Sequence, residues 1–249
     1  MLNAGRSYMA EFLGTFTLVF IGTAVATLQG TGLVSVDGWG PAGFLAISFA
    51  FGFTLMLLVY AIGPISGCHI NPAVTIPMAL SGRLKWKLVP GYLIAQISGA
   101  LVASLVLWAL LSGITDYNLD VHGLGANTGS AKLSTGSLFG FELVMTALFL
   151  MVIFSVTKEG ANPAGTGLAI GGFLFVAHLI GAQLGDSSLN PARSIGPAIF
   201  QHNALSVVWV FIVAPIAGGM IGWGLFALLE LNAPPVPGQS EPYDVSSGE

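Results

Sequence analysis

Two copies of the tripeptide Asn-Pro-Ala are the residues whose types and spacing point to a shared chemical task. An Asn side chain caps free backbone N–H groups, and a following Pro fits the first helical turn because no N–H is needed there. Each copy therefore predicts the start of a helix, with an amide side chain at its positively charged end. The six motif residues are Asn71, Pro72, Ala73, Asn190, Pro191 and Ala192.

The composition of the chain indicates the class of protein in which these two helices begin. Of 249 residues, 54% are hydrophobic and 7% are charged, whereas an average soluble domain has about 25% charged residues. This deficit predicts an integral membrane protein. The single cysteine, Cys68, excludes an internal disulfide and a cysteine-rich metal site. The charge pattern has no resemblance to a nucleic-acid-binding surface.

Six apolar segments are long enough to cross a bilayer, which requires about 20 residues. The predicted spans cover residues 7–29, 43–62, 88–111, 137–157, 165–181 and 206–229. The apolar pieces that follow Asn71 and Asn190 are only about half that length, so they predict half-helices. The fold class is therefore an all-α membrane protein with six transmembrane helices and two re-entrant half-helices.

A stretch predicted to be irregular precedes each half-helix. Residues 63–68 read Gly-Pro-Ile-Ser-Gly-Cys, which is not expected to be regular helix, and residues 181–188 are expected to be irregular as well. Irregular backbone at membrane depth is tolerated only inside protein or against a watery cavity. The two stretches therefore predict loops that re-enter the membrane and border a polar space.

The order of features in residues 7–111 is repeated in residues 137–229. Each half has a span with a glutamate (Glu11 or Glu142), a second span, a broken loop with a half-helix, and a third span. Three spans per half is an odd number, so the second half must enter the membrane from the opposite side, as an inverted repeat. The two half-helix N-termini would then meet near the midplane.

The whole repeat is predicted to form one channel domain over residues 1–230, and the acidic tail over residues 231–249 is expected to be disordered because it is rich in Pro, Gly and Ser. One side of the topology carries Arg6, Arg83, Lys85, Lys87 and Lys158, and the other carries Lys132 and Arg193. The positive-inside rule then predicts a multi-pass protein of the cell membrane with both termini and the first broken loop in the cytoplasm.

These features resemble the aquaporins, the major intrinsic protein family. The resemblance covers about residues 7–229. It rests on Ala10-Glu-Phe-Leu-Gly-Thr-Phe16, Ser66-Gly-Cys-His-Ile-Asn-Pro-Ala-Val-Thr75, Ser188-Leu-Asn-Pro-Ala-Arg193 and Glu142. One Asn-Pro-Ala is a common tripeptide, but two copies in an inverted repeat are specific. The resemblance implies a narrow pore through each chain, water as the permeant, and a homotetramer in the lipid bilayer.

The family also has a four-residue constriction toward the outside, and the resemblance assigns it to Phe51, His178, Ser187 and Arg193. Bulky rings narrow such a pore, and an arginine adds a donor and a positive barrier. Glycerol-conducting relatives typically have a small residue at the His position, an aromatic at the Ser position and Asp directly after the Arg, where this chain has Ser194. The predicted permeant is therefore water.

The predicted activity is passive water conduction, with no catalytic residue, metal or cofactor. Water is expected to pass along backbone carbonyls while the two motif asparagines donate hydrogen bonds to it and interrupt proton transfer. The carbonyls expected on this path are those of Gly67, Cys68, His69, Asp186 and Ser188. One carboxylate per half could relay protons, but the symmetry favours Glu11 and Glu142 as acceptors for the backbone N–H groups of the broken loops.

Three alternatives to selective water conduction remain open from the residues. The first is a channel for glycerol or another small neutral solute such as ammonia. The second is a secondary transporter, since transporters can also combine inverted repeats with broken helices. The third, a membrane enzyme, finds little support because the chain has no metal cluster, Ser/His/Asp set or Gly-rich phosphate loop.

Overall fold

The structure is a computed structural model that describes residues 4–30, 40–129, 133–184 and 186–231. Lys132 and the predicted tail beyond Leu231 lie outside the described residues. Within those residues, the regular secondary structure is helical and contains no strand. The helices are α1 (Ala4–Gly30), α2 (Pro41–Ser66), α3 (Pro72–Leu80), α4 (Val89–Leu111), α5 (Leu119–His122), α6 (Thr135–Val156), α7 (Pro163–Leu184), α8 (Pro191–Ala198) and α9 (Val210–Leu231).

Six of these helices (α1, α2, α4, α6, α7 and α9) are long and apolar enough to cross a membrane. The shortest of them have 22 residues, which gives a rise of about 33 Å. A bilayer has a hydrocarbon core of about 30 Å. The all-α fold class and the six predicted spans are therefore confirmed.

The two short helices α3 and α8 begin at the prolines of the Asn-Pro-Ala copies, as predicted. They have 9 and 8 residues and together supply about 26 Å of rise, somewhat less than one full span. Each contains a second proline, Pro77 or Pro197. Neither half-helix crosses the apolar layer alone, so both depend on the long helices around them.

The prediction that residues 63–68 are non-helical was wrong for their first four residues. Helix α2 passes through Pro64 and ends at Ser66. Gly67 then adopts a left-handed φ of 89°, and its N–H donates to the Gly63 carbonyl at 2.9 Å. The helix continues because each backbone hydrogen bond within it keeps an N–H and a C=O group from being unpaired in an apolar environment. A proline is tolerated in such a helix because the surrounding helices help to satisfy the backbone group that it leaves free. The irregular backbone therefore starts at Gly67.

The second irregular stretch is also shorter than predicted, because α7 continues beyond Gly181 to Leu184. Gly181 serves close packing rather than helix termination. A Cβ at this position would overlap the Ser187 side chain, and the Gly181 carbonyl accepts a hydrogen bond from the Asp186 N–H at 3.0 Å. A glycine in a membrane helix can therefore mark a close approach of backbone as easily as a helix end.

The helices pack with the symmetry that an inverted repeat requires. Helix α1 packs on α4 in the first half, and α6 packs on α9 in the second. A Cβ at Gly99 of α4 would overlap the Phe12 carbonyl, and a Cβ at Gly218 of α9 would overlap the Leu143 carbonyl. Small residues allow such close backbone contact in membranes, where packing rather than water exclusion drives helix association.

Helices α2 and α7 join the two halves at a second glycine-lined contact. A Cβ at Gly52 would lie 2.7 Å from the Gly171 carbonyl, and a Cβ at Gly167 would lie 2.9 Å from the Met56 carbonyl. These two helices carry Phe51 and His178, so their close packing brings a residue from each half to the same level of the membrane.

The polar connection between the halves folds inward instead of remaining on the surface. It contains the short helix α5, and Leu124 and Asn127 within it are 0% and 1% exposed. The side-chain oxygen of Gln201, which follows α8, accepts hydrogen bonds from the N–H groups of Leu124 at 2.9 Å and Ala126 at 3.4 Å. This outer loop, residues 123–129, is thereby fixed above α8.

Candidate functional site

The two motif asparagines cap their half-helices. The Asn71 side-chain oxygen accepts the Ala73 N–H at 2.8 Å. The Asn190 side-chain oxygen accepts the N–H groups of Ala192 at 3.0 Å and Arg193 at 3.3 Å. Because the oxygens are used as caps, each amide turns its N–H₂ group away from its own helix.

The N–H₂ groups then reach across to the opposite loop. Asn71 donates to the Leu189 carbonyl at 2.8 Å, and Asn190 donates to the Ile70 carbonyl at 3.0 Å. This reciprocal pair ties the two half-helix N-termini together. An amide N–H₂ has two hydrogens, so each asparagine retains one for a molecule in the cavity that both residues line.

Unusual backbone conformations precede both asparagines. Cys68, Ile70 and Leu189 have left-handed φ values of 50°, 43° and 58°, which non-glycine residues adopt only at an energetic cost. Such strained conformations persist only where the surroundings enforce them. Here, the enforcing groups are two buried glutamates.

Glu11 of α1 holds the first loop. One of its carboxylate oxygens accepts the Ser66 hydroxyl at 2.7 Å and the His69 N–H at 2.9 Å. The other accepts the Ile70 N–H at 2.6 Å and the Gln96 side-chain N–H at 2.7 Å. A carboxylate has about four lone-pair sites, and these four donors occupy all of them.

Glu142 of α6 occupies the matching position in the second half. Its two oxygens accept the N–H groups of Ser188 at 2.7 Å and Leu189 at 2.8 Å. The Ser188 hydroxyl lies 2.5 Å from that of Ser194 and 2.9 Å from the Asn190 carbonyl. The second loop is therefore held by a carboxylate and by its own serines.

The structure brings together the four residues assigned to the constriction. The rings of Phe51 and His178 stack with their centroids 4.5 Å apart, and the Arg193 guanidinium carbon lies 5.0 Å from the Phe51 ring centroid. Ser187 lines the same outer cavity as His178 and Arg193. Gly22 of α1 leaves space for the Phe51 ring, which a Cβ there would overlap.

Three of these residues carry buried polar atoms that have no hydrogen-bond partner within the described protein: His178 Nε2, Ser187 Oγ and Arg193 Nε. The His178 Nδ1 lies 3.1 Å from the Leu174 carbonyl. A carbonyl can only accept, so Nδ1 carries a hydrogen, and in a neutral ring Nε2 is then an acceptor. Leaving a buried polar atom unpaired costs about 1–3 kcal/mol, so the constriction favours a small polar occupant.

His178 and Arg193 separate two cavities of about 490 Å³ and 350 Å³. The larger cavity is lined by the motif asparagines and by the loop residues Gly67, Cys68, His69 and Ser188, which form a polar strip. Most of the remaining lining is apolar and includes Leu55, Val74, Ile170 and Leu174. Asp186 and Ser187 line the smaller cavity. The polar strip provides hydrogen-bond partners within a mainly apolar lining.

Arg83, which follows α3, also lines the larger cavity. The Arg83 Nη1 donates to the Thr157 hydroxyl at 3.0 Å, and the guanidinium carbon lies 4.7 Å from the Phe154 ring centroid. Partial burial lowers the pKa of Arg83 from its usual value, although an arginine stays protonated at physiological pH.

Asn127 contacts the constriction and was not singled out by the sequence. Its side-chain oxygen accepts a hydrogen bond from the Arg193 Nη1 at 2.8 Å, and the same Nη1 donates to the Gly125 carbonyl at 2.9 Å. Asn127 lies in an aperiodic polar stretch far from Arg193 along the chain. Its only sequence signal was a polar residue amid glycines, which is equally typical of a surface turn.

Across the residues that the structure describes, no group of three or more His, Cys, Asp or Glu side chains could hold a metal ion. The site instead consists of capped half-helix ends, a polar strip and a narrow ring. Its charges include Arg193 at the ring, the Asp186 carboxylate beside the outer cavity and the two glutamates behind the loops. The arrangement has the polar groups and the dimensions to accommodate a small polar molecule.

The profile of the family described as Major intrinsic protein matches residues 1–226. The chain belongs to this family. The six spans, the paired half-helices and both Asn-Pro-Ala copies thus occur in a chain whose sequence matches the major intrinsic protein family over nearly its whole length.

Curated relatives in this family have names that point to two permeants. The chain is 40% identical over 230 residues to Aquaporin Z of Rhodopseudomonas palustris, a match that covers 90% of this chain and 93% of that protein. It is 43% identical over 218 residues to Glycerol uptake facilitator protein-like 6 of Lactiplantibacillus plantarum, covering 87% of this chain and 94% of the relative.

A solved structure supports the fold. The X-ray structure of the aquaglyceroporin from Plasmodium falciparum aligns with a TM-score of 0.75 and 24% identity, and the alignment covers 92% of this chain and all of the other. At this identity the likeness concerns the fold and not the permeant. The sequence match shows the family, and the structural match independently supports the same fold.

Proposed function

We propose that this chain is a transmembrane channel that conducts water passively in single file and excludes protons and ions. The observation that carries the proposal is the constriction, where two stacked rings and a guanidinium surround buried polar atoms without protein partners. A ring that is both narrow and polar favours a molecule of water size over larger solutes.

The names of the relatives do not separate water from glycerol, since both occur at about 40% identity. The constriction residues favour water. A glycerol carbon chain needs an apolar surface and space, whereas His178 fills that space and offers a hydrogen-bond acceptor. Ser194, the residue after Arg193, is a small hydroxyl in place of the carboxylate that the family resemblance associates with glycerol conduction.

Proton exclusion follows from the reciprocal asparagine pair. One N–H of Asn71 and one of Asn190 remain for water at the point where two positive helix ends face each other. A water that accepts from both asparagines directs its own hydrogens outward, so neighbouring waters are oriented oppositely and no continuous proton wire forms. Arg193 adds a fixed positive barrier to cations.

The remaining assignments belong to the same proposal. The motif prolines and alanines shape the helix starts, and carbonyls of Gly67, Cys68, His69, Asp186 and Ser188 form the polar strip. Glu11 and Glu142 support the loops rather than relay protons, because loop N–H groups occupy their oxygens. We further propose cytoplasmic termini, location in the cell membrane and assembly as a homotetramer.

The test is osmotic shrinkage of proteoliposomes followed by stopped-flow light scattering. We expect water flux with a low activation energy, no dependence on ion or proton gradients, and no proton leak. A parallel swelling assay with glycerol should show slow entry relative to water. Saturable, gradient-driven solute uptake would refute the channel, and rapid glycerol entry would refute the water-selective ring.

A second permeant class, small neutral solutes such as ammonia, is favoured by one observation. Ser187 leaves its hydroxyl unpaired at the outer side of the ring, and a serine occupies less space than most residues. The same vesicles with an internal pH dye would report ammonia entry as alkalinisation. A rate equal to that of empty vesicles would exclude this permeant.

A further inference from the structure

Asn127 uses its entire hydrogen-bonding capacity at the constriction. Its oxygen accepts from the Arg193 Nη1 and from the Ser194 hydroxyl, each at 2.8 Å. Its nitrogen donates to the Asp186 carboxylate and, at 2.9 Å, to the Ser187 carbonyl. An amide side chain has two hydrogens and two lone pairs, so all four positions are occupied.

The neighbours of Asn127 also determine the orientation of its amide. A guanidinium can only donate, whereas a carboxylate and a carbonyl only accept. The oxygen must therefore face Arg193 and the nitrogen must face Asp186. Rotating the amide by half a turn would lose the bonds to Arg193, Asp186 and Ser187 together.

The Asp186 carboxylate connects this amide to both loops. One oxygen accepts the Asn127 side-chain N–H and the Ser187 backbone N–H, the latter at 2.9 Å. The other oxygen accepts the Gly129 N–H of the outer loop at 2.9 Å. Asp186 thus holds Asn127 from the side opposite Arg193.

The outer loop that bears Asn127 is itself fixed at several points. Gln201 accepts the N–H groups of Leu124 and Ala126. Gly125 has a left-handed φ of 65°, and a Cβ there would lie 2.9 Å from the Thr23 carbonyl of α1. A loop held between α1 and the segment after α8 can act as a rigid template for a side chain that it contacts.

The consequence for Arg193 is a defined direction of its guanidinium. Nη1 is bound on the outer side by Asn127 and the Gly125 carbonyl, while Nε is left without a protein partner. The outer contacts thus determine which donors remain for the permeant and how much of the ring the guanidinium blocks. Hydrogen bonds to charged groups are among the strongest side-chain contacts.

We infer that Asn127, supported by the Asp186 carboxylate, is a positioning residue that holds Arg193 across the constriction and thereby sets the exclusion of glycerol-sized solutes. The inference rests on the proposed water-channel function. It adds Asn127 of the outer loop as a residue that determines the specificity of the channel for water over glycerol. It assigns the Asp186 side chain a task separate from that proposed for its carbonyl.

The test compares glycerol and water permeability of proteoliposomes for wild type and Asn127→Ala. Loss of a hydrogen bond to a charged group should raise the glycerol-to-water permeability ratio by roughly tenfold.

Asn118→Ala is the matched control: Asn118 is an exposed asparagine earlier in the same connection that caps α5, and within the described residues its hydrogen bonds are to Asp120, Val121 and His122. Its ratio should equal that of wild type. An unchanged ratio in Asn127→Ala would overturn the inference.

A double-mutant cycle separates positioning from general loosening of the loop. If Asn127 acts through Arg193, adding Asn127→Ala to Arg193→Ala should leave the ratio of the single Arg193 variant unchanged. An equal further rise in the double variant would overturn the inference. So would equal losses of water and glycerol flux in Asn127→Ala, because a merely structural role lowers both.

Asp186→Asn provides a second variant with nearly unchanged side-chain volume. An amide cannot accept all three of the N–H groups now on the carboxylate, so this variant should raise the ratio by a smaller factor than Asn127→Ala. If Asn127→Ala does not fold, an unchanged ratio in Asp186→Asn overturns the inference. Failure of the proposed function is distinguishable, since it would appear as absent water flux in the wild type.

Discussion

The loop before α3 and the loop before α8 are each held by hydrogen bonds to a buried glutamate, yet the two glutamates accept different sets of hydrogen bonds. Glu11 accepts two backbone N–H groups and two side-chain donors from α2 and α4. Glu142 accepts two backbone N–H groups and, among the described residues, no side-chain donor. Glu11 therefore pairs twice as many donors as Glu142.

The second loop has a network that extends to the outer loop, whereas the further hydrogen bonds of the first loop come from Tyr92 and Gln96 of α4 and from its own residues. Ser188, Ser194 and Asp186 bind backbone and side chains around it, and Asn127 joins them from the outer loop. This loop is also the one followed by Arg193. The comparison teaches that the loop leading to Arg193 is held partly by the outer loop, which lies outside the repeat, whereas the four donors on Glu11 all come from its own half.

The largest expected effect concerns the two glutamates. Each buried donor left unpaired costs about 1–3 kcal/mol. Glu11→Ala leaves four donors without their acceptor and Glu142→Ala leaves two, so Glu11→Ala should destabilise the protein about twice as much. The measurement is the apparent midpoint of thermal unfolding in detergent, with the exposed Glu159→Ala as control. Equal midpoints for the two variants would contradict the difference between the halves.

The next effect concerns the ring that the two halves share. His178→Gly removes the ring that stacks on Phe51 and should raise glycerol permeability roughly tenfold, a change that corresponds to about 1.4 kcal/mol of barrier. His122→Ala, in the outer connection away from the ring, serves as control. A glycerol rate equal to that of wild type would show that the second half does not set the size limit.

A smaller effect is expected at the two asparagine caps. Replacing an N-cap asparagine by alanine costs about 1 kcal/mol. Asn190 caps two N–H groups and Asn71 caps one, so Asn190→Ala should lower the unfolding midpoint slightly more than Asn71→Ala. The reverse order would indicate that the cross-loop bonds, of which that of Asn71 is the shorter at 2.8 Å against 3.0 Å, outweigh the caps.

The smallest effect is expected at the exposed ion pair between Lys158 and Glu230. Their side chains are each 41% exposed and the charged atoms lie 2.8 Å apart. Exposed pairs contribute about 0–1 kcal/mol, so Lys158→Ala should leave the unfolding midpoint nearly unchanged at physiological salt. A shift of the midpoint comparable to that of Glu142→Ala would mean that the ion pair contributes substantially to the stability of this end of the second half.

Much of the fold was predictable because its signals are local. Apolar length predicts spans, and the Asn-Pro pairs predict helix starts, so six spans and both half-helices are found where the sequence indicated them. The helix ends at Ser66 and Leu184 were predicted too early. Gly and Pro often end helices in soluble proteins, where water can pair the free backbone groups. In an apolar environment each further backbone hydrogen bond of a helix is favoured, so the helix continues past these residues.

The sequence by itself determined the class of protein, the inverted order of its elements and, by family resemblance, the residues proposed to form the ring. Only the tertiary structure decided how these residues are held: the reciprocal asparagine bonds, the four donors on Glu11, and the Asp186–Asn127–Arg193 contacts. The physical reason is distance along the chain. Hydropathy and capping act between near neighbours, whereas these hydrogen bonds join residues that only the packed helices and the inward-folded outer loop bring within reach.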